Sequence, residues 1–218
     1  MGKQFVRTCI NSQNPHMWDD GRAGIEYFKP GGAYFGRQIA QHDNAWTDGS
    51  ASFMAPPAHF HILQSETFEV ESGSGIWFAG GKKTQLHKGD TILVPACIGH
   101  RFEAVPNSKG EPLVILWRYD VERHQMEERF FRNVFSYFLD CKKAGVQPDP
   151  FQLAVFCAAA HMPVDVVPCP GGEYVRCVVN TLLMWFMAAI GWLFLGYKIS
   201  YEEYYDPEVS RKVWTDGV

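Results

Sequence analysis

Apolar and polar positions follow two different periods along the chain. Up to about Tyr119, turn-forming stretches such as KPGGAYFG, TDGSAS, ESGSG, AGGKK and HKGD separate short apolar runs. The runs HFHIL, TFEVE, GIWFA, TILVPA and PLVILWRY are rich in aromatic and β-branched residues, which favour strands. Because short strands between regular turns are typical of a sandwich or small barrel, we predict a mainly β domain over residues 1–120.

The stretch EERFFRNVFSYFLDCKKAG repeats its apolar residues at helical spacing. It predicts an amphipathic helix over 127–144 that ends before Gly145. The predicted apolar face comprises Phe130, Phe131, Val134, Phe135, Phe138 and Leu139. The predicted polar, solvent-facing side comprises Glu127, Glu128, Arg132, Asn133, Asp140 and Lys143.

The stretch DPFQLAVFCAAAH predicts a second helix, shorter than the first. Asp149 is in position to be its N-cap, Pro150 suits its first helical position, and Gln152 would complete a capping box. Together, the two predicted helices indicate that residues 121–218 form a helical C-terminal extension of the β domain.

Residues 177–197, CVVNTLLMWFMAAIGWLFLGY, contain no charged side chain. A helix of this length spans about 30 Å, the thickness of a bilayer's hydrocarbon core. It would either contact a membrane or pack against the aromatic face of the helix over 127–144. Trp185 and Trp192 lie inside the segment, whereas an aromatic belt would place them at its ends. In either case we expect its apolar surface to exceed what the rest of the chain covers.

Charge and composition narrow the classes of partner. The chain has 20 Lys and Arg against 24 Asp and Glu, a net charge of −4, and no basic run, so nucleic acid is not expected as a partner. The N-terminal stretch has no apolar core of the length a secretory signal needs. We therefore expect an intracellular protein, cytoplasmic or attached to an internal membrane. Its six scattered cysteines form no CxxC pair, which favours reduced thiols.

Two histidines one residue apart carry the strongest chemical signal. In a strand, residues i and i+2 point to the same face, so His59 and His61 would project side by side, as shared metal ligands must. Glu66 follows after a short turn and could add a carboxylate oxygen. His100, after an apolar strand and a bend at Pro95, could add a third imidazole.

The spacing of these residues resembles the two motifs of the cupin superfamily. HFHILQSETFEVESG is similar to G-x5-H-x-H-x3,4-E-x6-G, and GDTILVPACIGH is similar to G-x5-P-x-G-x2-H-x3-N, within residues 30–120. The resemblance implies a double-stranded β-helix, or jelly-roll, barrel that binds one divalent transition metal (Fe, Mn, Ni or Zn). It implies His59, His61, Glu66 and His100 as ligands, with Gly73, Gly89 and Pro95 as turn residues. The sequence departs from the motifs at Phe53, Cys97, Gly99 and Ala104.

Strand parity suggests which other side chains would face the site. Phe68 and Val70 share the parity of Glu66 and Phe102 that of His100, so these three would line an apolar pocket or simply fill the barrel. Arg101 and Glu103 have the opposite parity. Less specific candidates are Arg37, as a partner for an acidic substrate, and His42, His87, His124 and His161, which have no recognisable companions.

Cupins with a hydrophobic C-terminal extension are similar to proteins encoded in fungal natural-product gene clusters. This resemblance implies a metal-dependent enzyme that oxygenates, isomerises or cyclises an apolar, oxygenated small molecule of polyketide or terpenoid type. Two alternatives stay open: a non-catalytic ligand-binding module with a structural metal, and a membrane-attached scaffold. The family resemblance also leads us to expect a homodimer formed through sheet edges.

Overall fold

Nine strands form two antiparallel sheets within the residues that the computed structural model describes, which are 6–40, 56–105 and 111–217. The larger sheet has the order β1-β2-β3-β9-β4-β7, and the smaller one β6-β5-β8. The strands are β1 His16–Trp18, β2 Ala23–Tyr27, β3 Gly36–Ala40, β4 Glu66–Ser72, β5 Ser74–Ala79, β6 Lys82–His87, β7 Thr91–Val94, β8 His100–Ala104 and β9 Leu113–Arg118. This is the predicted cupin β-barrel, and most of its runs form the predicted strands.

The barrel core lies between the inner faces of the two sheets. Strand β8 alternates buried and half-buried residues, so His100 and Phe102 face inward while Arg101 and Glu103 do not, as parity predicts. The ring of Trp77, which is fully buried, stacks on Phe102 at 5.5 Å. Gly73, with φ of +71°, turns the chain between β4 and β5 where a Cβ atom would lie 2.5 Å from the Pro112 carbonyl oxygen. Only glycine fits this turn.

The C-terminal extension consists of helices packed beside the barrel. They are α1 His124–Lys143, α2 Pro150–Ala160, α3 Gly172–Leu193 and the short α4 Pro207–Ser210. Helix α3 thus begins and ends earlier than the predicted 177–197. The prediction covered only the uncharged segment, whereas the first turn of the helix also includes Glu173 and Arg176. The division at residue 120 remains a prediction.

Helix α1 corrects the prediction of a solvent-facing polar side. Of that face, only Lys143 is exposed, whereas Glu127, Glu128, Arg132, Asn133 and Asp140 are buried. The Arg132 guanidinium donates to Glu128 at 2.7 Å and lies 4.4 Å from the Tyr27 ring centroid. The Tyr204 hydroxyl donates to Asp140 at 2.7 Å. Chain segments from both ends of the protein therefore cover part of this polar face and bind its charged groups.

Helix α2 begins as predicted, with one correction. The Asp149 side chain accepts a hydrogen bond from Phe151 N at 2.8 Å, and Pro150 occupies the first helical position. The predicted capping box at Gln152 is wrong. The Gln152 side chain instead donates to the Lys198 carbonyl oxygen and accepts from the Tyr201 hydroxyl. Gln152 therefore ties α2 to the segment that follows α3.

Candidate metal centre

Four side chains predicted from motif spacing converge at one end of the barrel. The ligand atoms of His59, His61, Glu66 and His100 all lie within 4.8 Å of one another. Glu66 is the first residue of β4 and His100 the first of β8, so two strand ends position two of the four. Glu66, His61 and His100 are buried, and His59 is half-buried, so the cluster approaches the surface on the His59 side.

The segment that carries His59 and His61 is not the regular strand that the run HFHIL predicts. It forms isolated bridges, from His59 to His100 in the barrel and from His59 to Val164 in the extension. Phe60 N donates to the Pro163 carbonyl oxygen at 3.0 Å, and Ile62 N to that of His161 at 3.2 Å. Backbone from both parts of the chain therefore holds the two histidines in place.

Backbone carbonyl oxygens select the tautomers of two histidines. His59 Nδ1 lies 3.0 Å from the Pro57 carbonyl oxygen, and His100 Nδ1 lies 3.0 Å from that of Ile98. Because a carbonyl oxygen only accepts, each Nδ1 must carry the proton and donate it. In the neutral imidazoles Nε2 then presents a bare lone pair toward the cluster, which is how metal-binding histidines are oriented.

The separations of the donor atoms fit a bound cation. His100 Nε2 lies 3.0 Å from Glu66 Oε2, and His59 Nε2 lies 3.2 Å from His61 Nε2. Glu66 Oε2 is also 3.4 Å from His61 Nε2. A lone pair facing a carboxylate oxygen at this distance needs a positive charge between them. Neighbouring ligands of a first-row metal ion, with bonds of about 2.1 Å, lie about 3 Å apart, so the donor set fits such an ion.

Burial keeps the imidazoles in the form that binds metal. Burial, reinforced by the imidazoles of His100 and His61, lowers the pKa of His59 well below its ordinary value. Burial and the neighbouring His100 lower the pKa of His61 in the same direction. Both rings are therefore neutral at pH 7, and a neutral imidazole is a ligand whereas an imidazolium is not.

A second layer of polar side chains surrounds the ligands, and the sequence analysis missed it. The Tyr119 hydroxyl donates to Glu66 Oε1, and its ring stacks on His61 with centroids 5.3 Å apart. Burial and the Glu66 carboxylate raise the pKa of Tyr119 well above its ordinary value, so it stays a donor. No spacing signal marks this residue, since its partner Glu66 lies 53 positions away.

Glu127 is the second missed residue, because the helical pattern assigned it to solvent. It is fully buried on α1, and the Gln64 side-chain amide donates to its Oε1. Burial and the charge of Glu66 raise the pKa of Glu127 well above its ordinary value. Its Oε2 and the Oε1 of Gln64 have no hydrogen-bond partner among the described residues. The Glu127 carboxyl group is thus buried within electrostatic range of Glu66, where its protonated form is favoured.

The three residues predicted to line a pocket lie in the barrel core. Phe68, Val70 and Phe102 are all buried in the main hydrophobic cluster, and the Phe68 ring centroid is 6.3 Å from that of His100. Whether they contact a ligand remains a prediction. A groove of about 1460 Å³ lies elsewhere, between the α1–α2 loop and residues 195–203, and no member of the cluster lines it.

The less specific candidates have other surroundings in the structure. Arg37 forms ion pairs with Glu26 and Glu71, both at 2.7 Å. His124 lies 2.6 Å from the Phe28 carbonyl oxygen, and neither it nor His87 or His161 belongs to the cluster. His42 and Phe53 lie outside the described residues.

The departure from the second motif at Cys97 preserves the backbone that the motif requires. Cys97 adopts a φ of 62°, the left-handed region that favours glycine, at the position where the motif has glycine. Its N–H donates to the His61 carbonyl oxygen at 2.8 Å. The loop before His100 is therefore fastened to the segment that carries the other two histidines.

Comparison with known proteins identifies the family of this chain. The family model described as Cupin domain matches residues 52–119. The chain belongs to the cupin family. A cupin protein of Bacteroides fragilis aligns with 17% identity and a TM-score of 0.30, over 44% of this chain and 64% of that one.

Its curated relatives include three fungal proteins. Probable oxidoreductase virH of Hypocrea virens is 31% identical, and the match covers 94% of this chain and 93% of that protein. Oxidoreductase iacF of Pestalotiopsis fici is 30% identical over 77% of this chain and 81% of that protein. Epoxidase atD of Aspergillus terreus is 33% identical over 68% of this chain and 46% of that longer protein. These relatives match well beyond the barrel.

Proposed function

We propose that this cupin is a metal-dependent oxidoreductase that acts on an apolar, oxygenated small molecule of polyketide or terpenoid type. The convergence of His59, His61, Glu66 and His100, with two Nε2 lone pairs turned inward, carries the proposal. The names of the three fungal relatives support redox chemistry and, among the expected reaction types, favour oxygenation over isomerisation or cyclisation.

Each part of the site has a distinct task in this proposal. A divalent transition ion held by the four side chains would supply a Lewis-acidic or redox-active centre with open coordination positions. Tyr119 orients Glu66 by donating to the oxygen that faces away from His100. Burial and the charge of Glu66 raise the pKa of Glu127, which favours its protonated form and makes it the candidate to hold a proton near Glu66. Phe68 is buried beside His100, with ring centroids 6.3 Å apart, and helps to exclude water from the cluster.

Metal analysis tests the ligand set. We expect purified wild-type protein to contain one equivalent of a transition metal and His61→Ala to lose most of it. His87→Ala is the matched control, since His87 ends β6 as an exposed residue outside the cluster. Equal metal content in wild type and His61→Ala would exclude this ligand set.

Activity needs a separate measurement, because a structural metal would give the same metal analysis. A catalytic ion with open positions binds nitric oxide or azide, and the change appears in its electronic or paramagnetic resonance spectrum. We also expect host extracts carrying His100→Ala to accumulate a precursor that wild type consumes. A metal-loaded protein that binds neither probe, in a host with an unchanged metabolite profile, would instead identify a non-catalytic module.

A further inference from the structure

One face of helix α3 is an uninterrupted apolar surface. The residues along the middle of this face, called here the α3 stripe, are Val175, Val178, Leu182, Trp185, Phe186 and Leu193. Leu182, Phe186 and Leu193 are 66%, 65% and 63% exposed, and none of the six carries charge. With Tyr174, Trp192 and Phe194 at its margins, the surface measures on the order of 1,000 Å². The largest apolar patch of a typical monomer is about half this size.

The opposite face of α3 is fixed to the rest of the protein. Cys177, Met184 and Gly191 are buried there, and a Cβ atom on Gly191 would lie 2.9 Å from the Phe151 carbonyl oxygen of α2. Asn180, 1% exposed, accepts hydrogen bonds from Val166 N at 3.0 Å and Val167 N at 2.9 Å. The helix therefore presents only its stripe to an outside partner.

The candidates for covering the α3 stripe are a lipid bilayer and a second copy of the chain, and lipid is the weaker of the two. Helix α3 alone is long and apolar enough, among the described helices, to cross a bilayer, and 28% of its apolar window is buried. The buried side, however, includes Asn180, which binds polar backbone groups. A spanning helix would expose Asn180 and its backbone partners to hydrocarbon. A helix lying in the interface needs Lys and Arg beside its apolar face, and Arg176 is the single basic residue of α3. Trp185 also lies in the middle of the helix, whereas membrane-spanning helices typically carry Trp near their ends, at the membrane–water interfaces.

A second copy of the chain meets the requirements that lipid does not. A standard protein interface buries about 800 Å² on each partner, which the α3 stripe and its margins supply. Aromatic residues without charges are typical of an interface core. A two-fold axis would bring the same stripe from each copy into contact, so no further surface has to be complementary.

We propose that two copies of this protein pair through their α3 stripes to form a two-fold symmetric homodimer. The extension, rather than a sheet edge, is then the dimer interface. This proposal is independent of the chemistry at the metal centre, and it assigns a role to the apolar surface that the monomer leaves uncovered.

Sedimentation equilibrium of the full-length protein in detergent-free buffer tests the dimer. We expect twice the chain mass of 24.8 kDa for wild type, and the monomer mass for Leu182→Glu/Phe186→Glu at the same concentration, with the dissociation constant raised at least about 100-fold. The matched control is Leu93→Glu/Val121→Glu, which places two charges on exposed apolar residues away from α3 and should remain dimeric.

A second measurement covers the case in which the charged stripe variant fails to fold. A photo-crosslinking residue at position 189, exposed between Phe186 and Leu193, should join two copies in otherwise wild-type protein. A monomeric wild type, or a stripe variant that stays dimeric, would overturn the proposal. So would flotation of monomeric wild type with phosphatidylcholine vesicles, which would assign the stripe to lipid.

Discussion

Tyr119 links two ligands of the candidate metal centre through a single side chain. Its hydroxyl donates to Glu66, and its ring stacks on His61. Residues that orient ligands in this way typically contribute a factor of about 10–100 to metal affinity. We expect Tyr119→Phe, which keeps the ring and removes the donor, to weaken metal binding by such a factor in competition with a chelator.

Tyr174→Phe is the control for this substitution, since Tyr174 is 70% exposed on α3. It should leave the metal affinity unchanged. If Tyr119→Phe binds metal as tightly as wild type, the hydroxyl does not position Glu66.

His16 makes stability depend on pH without involving the metal centre. Burial, with the nearby charge of Arg132, lowers the pKa of His16 from 6.5 to about 4. The unfolded chain therefore binds a proton that the folded protein refuses, so stability is lost as the pH falls from 6.5 toward 4. The loss from this one residue is up to about 3 kcal/mol.

We expect His16→Gln to remove that part of the pH dependence, measured by urea unfolding of wild type and variant at pH 7, 5.5 and 4. His87→Gln, a change at an exposed histidine of β6, should follow the wild-type curve. Parallel curves for wild type and His16→Gln would show that His16 is not the titrating group.

At the scale of elements, the sequence predicts where strands and helices form better than it predicts what covers them. Period and cap residues place α1 and α2, because Asp149, Pro150 and Gly145 act locally. The burial of Glu128 and Arg132 is not predictable in this way. Tyr27, the aromatic partner of Arg132, lies about a hundred positions earlier in the chain. Trp214, which donates to Glu128, lies 86 positions after it.

The same distinction holds for the metal centre. The clustering of the four side chains is predictable because the motif spacing marks all four, although the segment of His59 and His61 is not a regular strand. The second layer is not predictable, because Gln64 and Glu127 meet across 63 positions and each looks like a surface residue in its own segment. Local patterns identify the four clustered side chains, and tertiary packing adds the residues that surround them.

Asn180 joins helix α3 to the segment that pairs with His59. Its side chain binds Val166 N, Val167 N and the Val167 carbonyl oxygen. Replacing it with leucine keeps the volume but leaves Val167 N without this partner, whereas Val166 N keeps its bond to the Val164 carbonyl oxygen. We expect Asn180→Leu to lower the free energy of unfolding by about 1–3 kcal/mol in chemical denaturation.

Thr181→Ala is the neighbouring control. The Thr181 hydroxyl donates only within its own helix, to the Cys177 carbonyl oxygen, so its loss should cost less than about 1 kcal/mol. Equal effects of the two substitutions would contradict the role of Asn180 as a link between segments.

For the whole molecule, the pairing of residues 58–62 with 161–165 joins the barrel and the extension. Asp165 N donates to the Ala58 carbonyl oxygen at 2.7 Å, beside the bonds of Phe60 and Ile62. Residues 1–120 expressed alone would leave these donors and acceptors unpaired. We expect this fragment to bind no metal and to show no cooperative thermal unfolding.

The control is the full chain cleaved after Gly171, an exposed residue at the start of α3, because it retains every contact. It should keep its metal and its melting transition. A folded, metal-binding fragment of residues 1–120 would show that the extension is dispensable for the centre.

The first turn of α3 also reaches the loop that ends at His100. Glu173 accepts a hydrogen bond from Gly99 N at 2.8 Å, and Arg176 pairs with both Glu173 and Asp165. The first turn of α3 thus connects the outward surface of this helix to the end of the barrel that carries the candidate metal centre. Two binding events that favour the same conformation strengthen each other by the same factor. A partner on α3 that favours one position of this first turn, and with it one position of Gly99, would therefore strengthen ion binding through His100. The ion would strengthen the binding of that partner by the same factor.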